Sequence, residues 1–471
     1  MTHLLIIGGS DAGISAALRA KELDATVDVT IVVADSYPNF SICGIPFYLS
    51  GEVPDWRNLA HRTSEEITQT GINLLLNHKA LSIDAEQKKV KVVNAENQEK
   101  WLTYDKLIIG TGAVPVQPTI DGLNLPGVFL LHSMADSFAV YQHLTTEQPQ
   151  SAVIIGDGYI GLEMADALNH RRMSVTVVGR SPSVMRTVDA SIGNLIAAKL
   201  GSRRVEVASS VEVNAIQQVG QQLVVSGTNN FHKNTDMVIV AVGVRPLTDL
   251  AESAGLKTGL RGAIQVNRKM ETNVPNIYAA GDCVETLHRL INEYIYLPLG
   301  TTAHKQGRIA GENAVGGDRQ FAGSLGTQVV KIFDMAVSRT GLRDSEAQNA
   351  GFKPLTVEFE TWDHKVYYPG AKKLHILVTG DSQTGRLLGA QIAGHYQGEV
   401  AKRIDIFASA IFHNMKVEEI SELDLSYTPP LSSPWDPVQM AAQAWVKHQS
   451  NQFAITNSQF AIKISGSGRA N

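Results

Sequence analysis

Cysteine is almost missing from this chain: 471 residues hold two, Cys43 and Cys283. Two cysteines cannot build a disulfide framework, which fits a reducing compartment. A strong charge of one sign is missing as well. The formal net charge is -5 and no long basic run occurs, so nothing points to a nucleic-acid partner. No apolar stretch is long enough to span a bilayer. The start, Met1-Thr2-His3-Leu4-Leu5-Ile6-Ile7, has neither the basic region nor the cleavage site of a signal peptide. A cytoplasmic protein with no membrane partner and no metal is the expectation. The 44% hydrophobic content is ordinary, and 471 residues exceed one core, so two or three domains are expected.

What is present is a pattern that occurs twice: an aliphatic strand, a glycine turn, a helix and another strand. The first copy runs Leu4 to Ile7, then Gly8-Gly9-Ser10-Asp11-Ala12-Gly13, a helix to about Leu23, and Val27 to Val33. The second runs Ala152 to Ile155, then Gly156-Asp157-Gly158-Tyr159-Ile160-Gly161, a helix to about Asn169, and Ser174 to Val178. Continuous aliphatic strands fit a parallel sheet covered on both faces. A glycine turn at a helix N-terminus brings backbone N–H groups and a partial positive charge to a pyrophosphate. Gly8, Ser10, Gly13, Gly156, Gly158, Tyr159, Ile160 and Gly161 are therefore candidate nucleotide contacts, with Ser10 standing where a glycine is usual. Asp35 is the candidate ribose carboxylate of the first copy, displaced two places beyond the usual position; a solvated loop carboxylate is the equal alternative. The second copy ends Val178-Gly179-Arg180 with no carboxylate. Arginine favours a 2′-phosphate, so Arg180, with Arg186 nearby in sequence, points to NADPH, with NADH possible.

Further on, Asp84 to Val93 and Trp101 to Ile109 read as strands. Gly326 to Val337, Leu374 to Val378 and Leu387 to Ala393 read as a more antiparallel part, with a helix near Arg403 to Met415. The stretch after about His448 reads as a poorly ordered tail.

Cys43 lies in Ser41-Ile42-Cys43-Gly44-Ile45-Pro46, and Pro46 suits the first turn of a short helix. That helix's N-terminus is expected to lower the thiol pKa. Taken alone, the segment favours reading this cysteine as a small buried hydrophobe, the usual fate of a free cysteine; the rest of the chain reverses that.

With two nucleotide units and one candidate sulfur, the chain resembles the pyridine nucleotide-disulfide oxidoreductases, over about residues 3 to 446. It looks most like the single-cysteine branch of coenzyme A-disulfide reductases, NADH oxidases and peroxidases, and persulfide reductases. Leu107 to Pro115, with Thr111 and Gly112, is similar to the turn against the flavin. Thr272 to Asp282 is similar to the second FAD motif, in which Gly281 leads to the ribityl-binding Asp282. Thr302-Ala303-His304 and Gln306-Gly307-Arg308 look like the helix over the flavin; Ala303 and Gly243 complete the candidate cofactor set, and His304 is read as structural. Tyr367-Tyr368-Pro369-Gly370, Lys402-Arg403-Ile404-Asp405 and Leu425 to Pro430 are similar to the family's dimerisation domain.

The resemblance implies an α/β fold with two Rossmann-like domains and an α+β carboxy-terminal dimerisation domain. Its boundaries are residues 1–120 and 246–322 for FAD, 121–245 for NAD(P)H, 323–448 for dimerisation, and a tail over 449–471. It implies FAD, a homodimer, a small-molecule electron acceptor, and Tyr427 with Tyr367 or Tyr368 beside the other subunit's redox sulfur. Cys43, Asp11, Tyr427 and Tyr367 are the candidate catalytic residues. Where the resemblance implies a cation, an asparagine and a lysine for coenzyme A, this chain has Glu22, Ile42 and Trp435. Where oxidases have a histidine in the first turn, it has Asp11. Three readings follow: an NADPH-dependent reductase of a small disulfide or persulfide through Cys43, an NAD(P)H oxidase or peroxidase, and a flavoprotein redox sensor with an inert Cys43.

Overall fold

The computed structural model describes residues 2–466. The chain forms two compact units. One unit runs to Pro182 and resumes over Leu200–His288 and Asn292–Ser324; the other takes Ser183–Lys199, Arg289–Ile291 and Leu325 onward.

In the first unit two parallel sheets repeat one plan. His3–Ile7 is central in its sheet, between Asp28–Val32 and Lys106–Ile109, with Ile72–Leu75 and Ile277–Ala279 outside. Ser151–Ile155 is central in the other, between Ser174–Val178 and Met237–Val240, with Glu206–Ala208 and Val128–Leu130 outside. Leu4, Leu5 and Ile6 are wholly buried, as both-face coverage of a parallel strand requires. Each such side chain contributes about 1.5–3 kcal/mol of transfer free energy. The helices Asp11–Leu23 and Tyr159–His170 follow the two central strands, so both glycine turns sit at carboxyl ends of strands, where open α/β sheets bind ligands.

Two segments differ from the sequence reading. Asp84 to Val93 is not one strand: Lys79–Asp84 and Lys89–Val93 form a hairpin. Asp84 Oδ1 accepts the Gln87 N–H at 2.9 Å and Lys88 takes φ 50°, which closes a turn inside the run. Trp101 to Ile109 likewise divides between Glu99–Thr103, in that antiparallel sheet, and Lys106–Ile109, in the parallel one.

The second unit is built on an antiparallel sheet of five strands, in the order Gln328–Ile332, Met335–Gly341, Leu387–His395, Lys373–Asp381, Pro354–Trp362. Gly326 to Val337 is thus two strands, turned at Phe333 with φ 56°. The helix near Arg403 runs Val400–Phe412 and buries Ile404, Phe407 and Ile411. The last helix is Pro437–Gly466, and its buried Trp445 donates an indole N–H to the Leu355 carbonyl at 2.7 Å. That helix covers 449–466 of the stretch read as a tail; 467–471 lies outside the described residues.

Candidate active site

Gly8 has φ +113°, and a Cβ there would stand 2.0 Å from the Gly110 carbonyl oxygen, so only glycine lets these two strand ends meet. Ser10 is the N-cap of the following helix but makes no capping bond and is exposed, so the first N–H groups stay uncapped by a side chain. Gly13 packs this helix onto the turn: a Cβ there would meet the Gly8 carbonyl oxygen at 1.9 Å. In the second turn a Cβ on Gly158 would meet nothing within 4 Å, which leaves open space ahead of Tyr159 and Ile160. Gly156 and Gly161 make the same close approaches as Gly8 and Gly13.

Other candidates are partly committed to the protein itself. Asp35 is exposed and its Oδ1 accepts the Tyr37 N–H at 2.8 Å, while desolvation raises its pKa. Thr111 donates its hydroxyl to the Leu247 carbonyl at 2.6 Å. Gly112 and Gly243 have positive φ and open space beside them. Arg180 is exposed. Beside it, a Cβ on Gly179 would stand 2.0 Å from Asp157 Oδ2.

Gly281 donates its N–H to Gln306 Oε1 at 3.0 Å, and Gln306 is fully buried on the helix Gly300–Ala314 that also carries buried Ala303. Asp282, next to Gly281, is half-buried, and desolvation and then the nearby Asp11 push its carboxyl up to about 6. Asp11 is itself raised by desolvation, which outweighs His61 and His304. His304 Nδ1 is hydrogen-bonded to Ser15 Oγ at 2.7 Å, a structural role. Cys283 is wholly buried, with its thiol 3.4 Å from the Ala280 carbonyl, and is a passive neighbour.

Cys43 sits on a 3₁₀ turn, Ile42–Gly44, ahead of the short helix Ile45–Ser50, with Pro46 in its first turn as expected. The thiol is exposed, yet its pKa is raised: first by the desolvating walls around it, then by the charges of Glu163, Asp11 and Asp282. This corrects the expectation of a lowered pKa. A six-residue helix cannot outweigh that desolvation together with three carboxylates that distant segments bring to the same place. Tyr159 belongs to the same neighbourhood: desolvation, followed by Asp282, Cys43 and Glu163, pushes its phenol up to about 12.

Three members of this group carried no signal in the sequence. Glu163 is two residues past the second glycine turn and reads as helix surface. His61 lies in a loop. Tyr296 has a buried hydroxyl with no hydrogen-bond partner among the described residues, and its ionisation is opposed first by desolvation and then by Asp282. Among the described residues no group of three or more His, Cys, Asp or Glu is placed to hold a metal.

The second unit carries the remaining candidates. Tyr367 is 71% exposed and Tyr427 44%; desolvation, then the neighbouring Tyr367 phenol, raises the Tyr427 pKa.

Residues 2–307 match the family model described as pyridine nucleotide-disulphide oxidoreductase, and 327–437 match that family's dimerisation domain. The NAD(P)H sulfur oxidoreductase (CoA-dependent) of Pyrococcus furiosus is 35% identical over 442 residues, covering 93% of this chain and 98% of the relative. A solved NAD-dependent persulfide reductase from A. fulgidus superposes with a TM-score of 0.91 at 35% identity, covering 95% of this chain and 84% of that one. An engineered water-forming NADPH oxidase bound to NADPH, made from the Lactobacillus brevis NADH oxidase, gives a TM-score of 0.91 at 26% identity, covering 96% and 100%.

Proposed function

The chain belongs to the pyridine nucleotide-disulphide oxidoreductase family, and from that premise we propose that it passes electrons from NADPH through FAD to Cys43 and on to a small disulfide or persulfide. The family is FAD-dependent with NAD(P)H as reductant, and the chain is an oxidoreductase. The observation that carries the rest is the shared neighbourhood of Cys43, Tyr159 and Asp282, which links the sulfur to both nucleotide units.

The residues present fit FAD. The open first-turn N–H groups suit a pyrophosphate, Asp282 suits a ribityl hydroxyl, and the buried hydroxyl of Tyr296 has a donor to offer. We assign residues 1–120 and 246–322 to this cofactor and 121–245 to the nicotinamide nucleotide. When bound, FAD supplies the two-electron relay between nicotinamide and sulfur. Cys43 Sγ attacks one sulfur of the acceptor, forming a mixed disulfide and expelling one thiolate. Asp11, whose raised pKa keeps more of it protonated, gives that thiolate its proton. Two electrons originating in NADPH would then cleave the mixed disulfide, releasing the second half of the acceptor as a thiolate that takes its proton from solvent and restoring the Cys43 thiolate.

Arg180 supports NADPH. The engineered NADPH oxidase carries consecutive changes of Asp to Ala, Ala to Arg and Met to Ser, then Pro to Arg five residues later. This chain reads Gly179, Arg180, Ser181 and Arg186 at the same spacing. A small acceptor is supported by the end of the helix Asp11–Leu23. Arg19 is held by Glu312 at 2.7 Å and by Glu22 at 2.9 Å, and Lys21 donates to the Val27 carbonyl at 2.7 Å. These two nearby cations are thus already committed and do not make up for Glu22 in holding a polyanionic nucleotide. The dimerisation domain supports a homodimer, and we place Tyr427 and Tyr367 in it beside the other subunit's redox sulfur. No helix among the described residues is long and apolar enough to cross a membrane, and we take the cytoplasm as the working compartment.

The test is Cys43→Ser in FAD-loaded protein, assayed with NADPH and a panel of disulfides, persulfides, peroxide and oxygen. Reduction of sulfur acceptors is expected to vanish while FAD stays bound; parent-rate reduction would overturn the proposal. The oxidase reading is favoured by the likeness to the water-forming oxidase and by the exposure of Cys43. Rapid NADPH turnover with oxygen as sole acceptor would select it.

A further inference from the structure

Tyr367 and Tyr427 lie on separate loops. The first is the hairpin loop between the strands Pro354–Trp362 and Lys373–Asp381; the second leads into the helix Pro437–Gly466. Both side chains are exposed, so packing does little to hold them, yet Tyr367 is close enough to bear on the ionisation of Tyr427. Beneath them is one buried side chain. Arg403, 4% exposed on the helix Val400–Phe412, reaches both loops. Its Nη2 donates to the Asp363 carbonyl at 2.8 Å on the first loop and to the Leu431 carbonyl at 3.3 Å on the second. The same nitrogen pairs with Asp436 Oδ2 at 3.2 Å, and Nη1 donates to the Gly398 carbonyl at 2.5 Å. Asp436 in turn accepts the Ser432 hydroxyl at 2.5 Å and the Val438 N–H at 2.9 Å. The loops also touch directly, where the Lys365 N–H donates to the Pro429 carbonyl at 3.3 Å.

A buried ion pair is a poor source of net stability, because desolvation offsets most of its attraction. What the guanidinium does supply is a rigid fork that joins two loop carbonyls, a carboxylate and a helix-start carbonyl in one geometry. Lysine carries the charge but has no planar fork to span them.

We propose that Arg403 is a positioning residue for the acceptor half of the reaction: it sets the Tyr367–Tyr427 pair by clamping the two loops that carry it. The proposal rests on the reading that these tyrosines meet the other subunit's redox sulfur. Arg403 touches neither substrate nor cofactor and acts only through the pair, so the step in which NADPH reduces the enzyme should not depend on it.

The experiment uses FAD-loaded, full-length protein and measures the two half-reactions separately by stopped flow. Arg403→Lys should slow reoxidation by a disulfide acceptor about ten- to a hundredfold, the scale of a small misplacement. Reduction by NADPH should stay within about twofold, with the dimer intact by gel filtration. Tyr427→Phe should slow the same step, and the double variant should be no slower than the worse single one. Equal slowing of both half-reactions, or losses that multiply in the double variant, would overturn the proposal. Should Arg403→Lys fail to fold, Ser432→Ala loosens Asp436 alone; selective slowing of reoxidation supports the clamp, and slowing of both steps or neither refutes it. Parent-rate reoxidation in Tyr427→Phe, beside an inactive Cys43→Ser, sinks this inference and leaves the proposed function standing. An active Cys43→Ser sinks the function itself.

Discussion

Arg180→Ser should weaken the use of NADPH and leave NADH almost untouched. A hydrogen bond to a charged group contributes about 1.5–3 kcal/mol, which corresponds to about ten- to a hundredfold in kcat/KM at 1.4 kcal/mol per decade. Arg180 is exposed, so solvent and salt screen it and the lower end of that range is expected. Adding Gly179→Glu to gain NADH is the obvious second step, since a carboxylate accepts from the ribose hydroxyl and repels a 2′-phosphate. The structure makes that step costly. A Cβ on Gly179 would stand 2.0 Å from Asp157 Oδ2 and 2.9 Å from Asp157 Cβ, so any side chain must first displace Asp157. Two carboxylates about 4 Å apart repel by about 4 kcal/mol at an effective dielectric constant near 20. The pair Gly179→Glu and Arg180→Ser should therefore lose activity with both nucleotides, and adding Asp157→Gly should restore turnover with NADH. Initial rates with NADPH and NADH across the four proteins decide this. A parent that already prefers NADH would refute the reasoning, as would an Arg180→Ser variant that keeps its NADPH kcat/KM. A productive NADH enzyme with Asp157 left in place would refute the steric part.

Asp282→Ala should lower FAD content after purification, read as the ratio of flavin to protein absorbance, because the half-buried carboxyl is the group best placed for a ribityl hydroxyl; full occupancy would remove it from the site. Glu163→Gln should speed alkylation of Cys43 by iodoacetamide in FAD-depleted protein near pH 8. The sign follows from the thiol being raised: thiolate is the reactive form, Glu163 is the leading charge opposing it, and its removal lowers the pKa toward the assay pH. An unchanged or slower rate would show that Glu163 does not oppose the Cys43 thiolate.

Both glycine turns, the helix after each and the Asp282 motif were legible in the sequence, because strand, turn and helix are neighbours along the chain and their spacing encodes their geometry. Pro46 placed the short helix beside Cys43 for the same reason. The hairpin turn at Ala85 to Lys88 was not legible, since its β-rich flanks read as one strand until Asp84 is seen capping Gln87. For the raised pKa of Cys43 only the Asp11 part was within reach, since a carboxylate in the first turn beside the sulfur pushes the thiol up; the rest was not. The shift is a sum over Glu163, Asp11 and Asp282, which are remote in sequence, plus a desolvation that only the folded walls create. The conflict of Gly179 with Asp157, the commitment of Arg19 to Glu312 and the reach of Arg403 to two loops are of the same kind. Local spacing records what a short segment will form; charge and burial belong to a point in space, and only the fold decides which distant residues share that point.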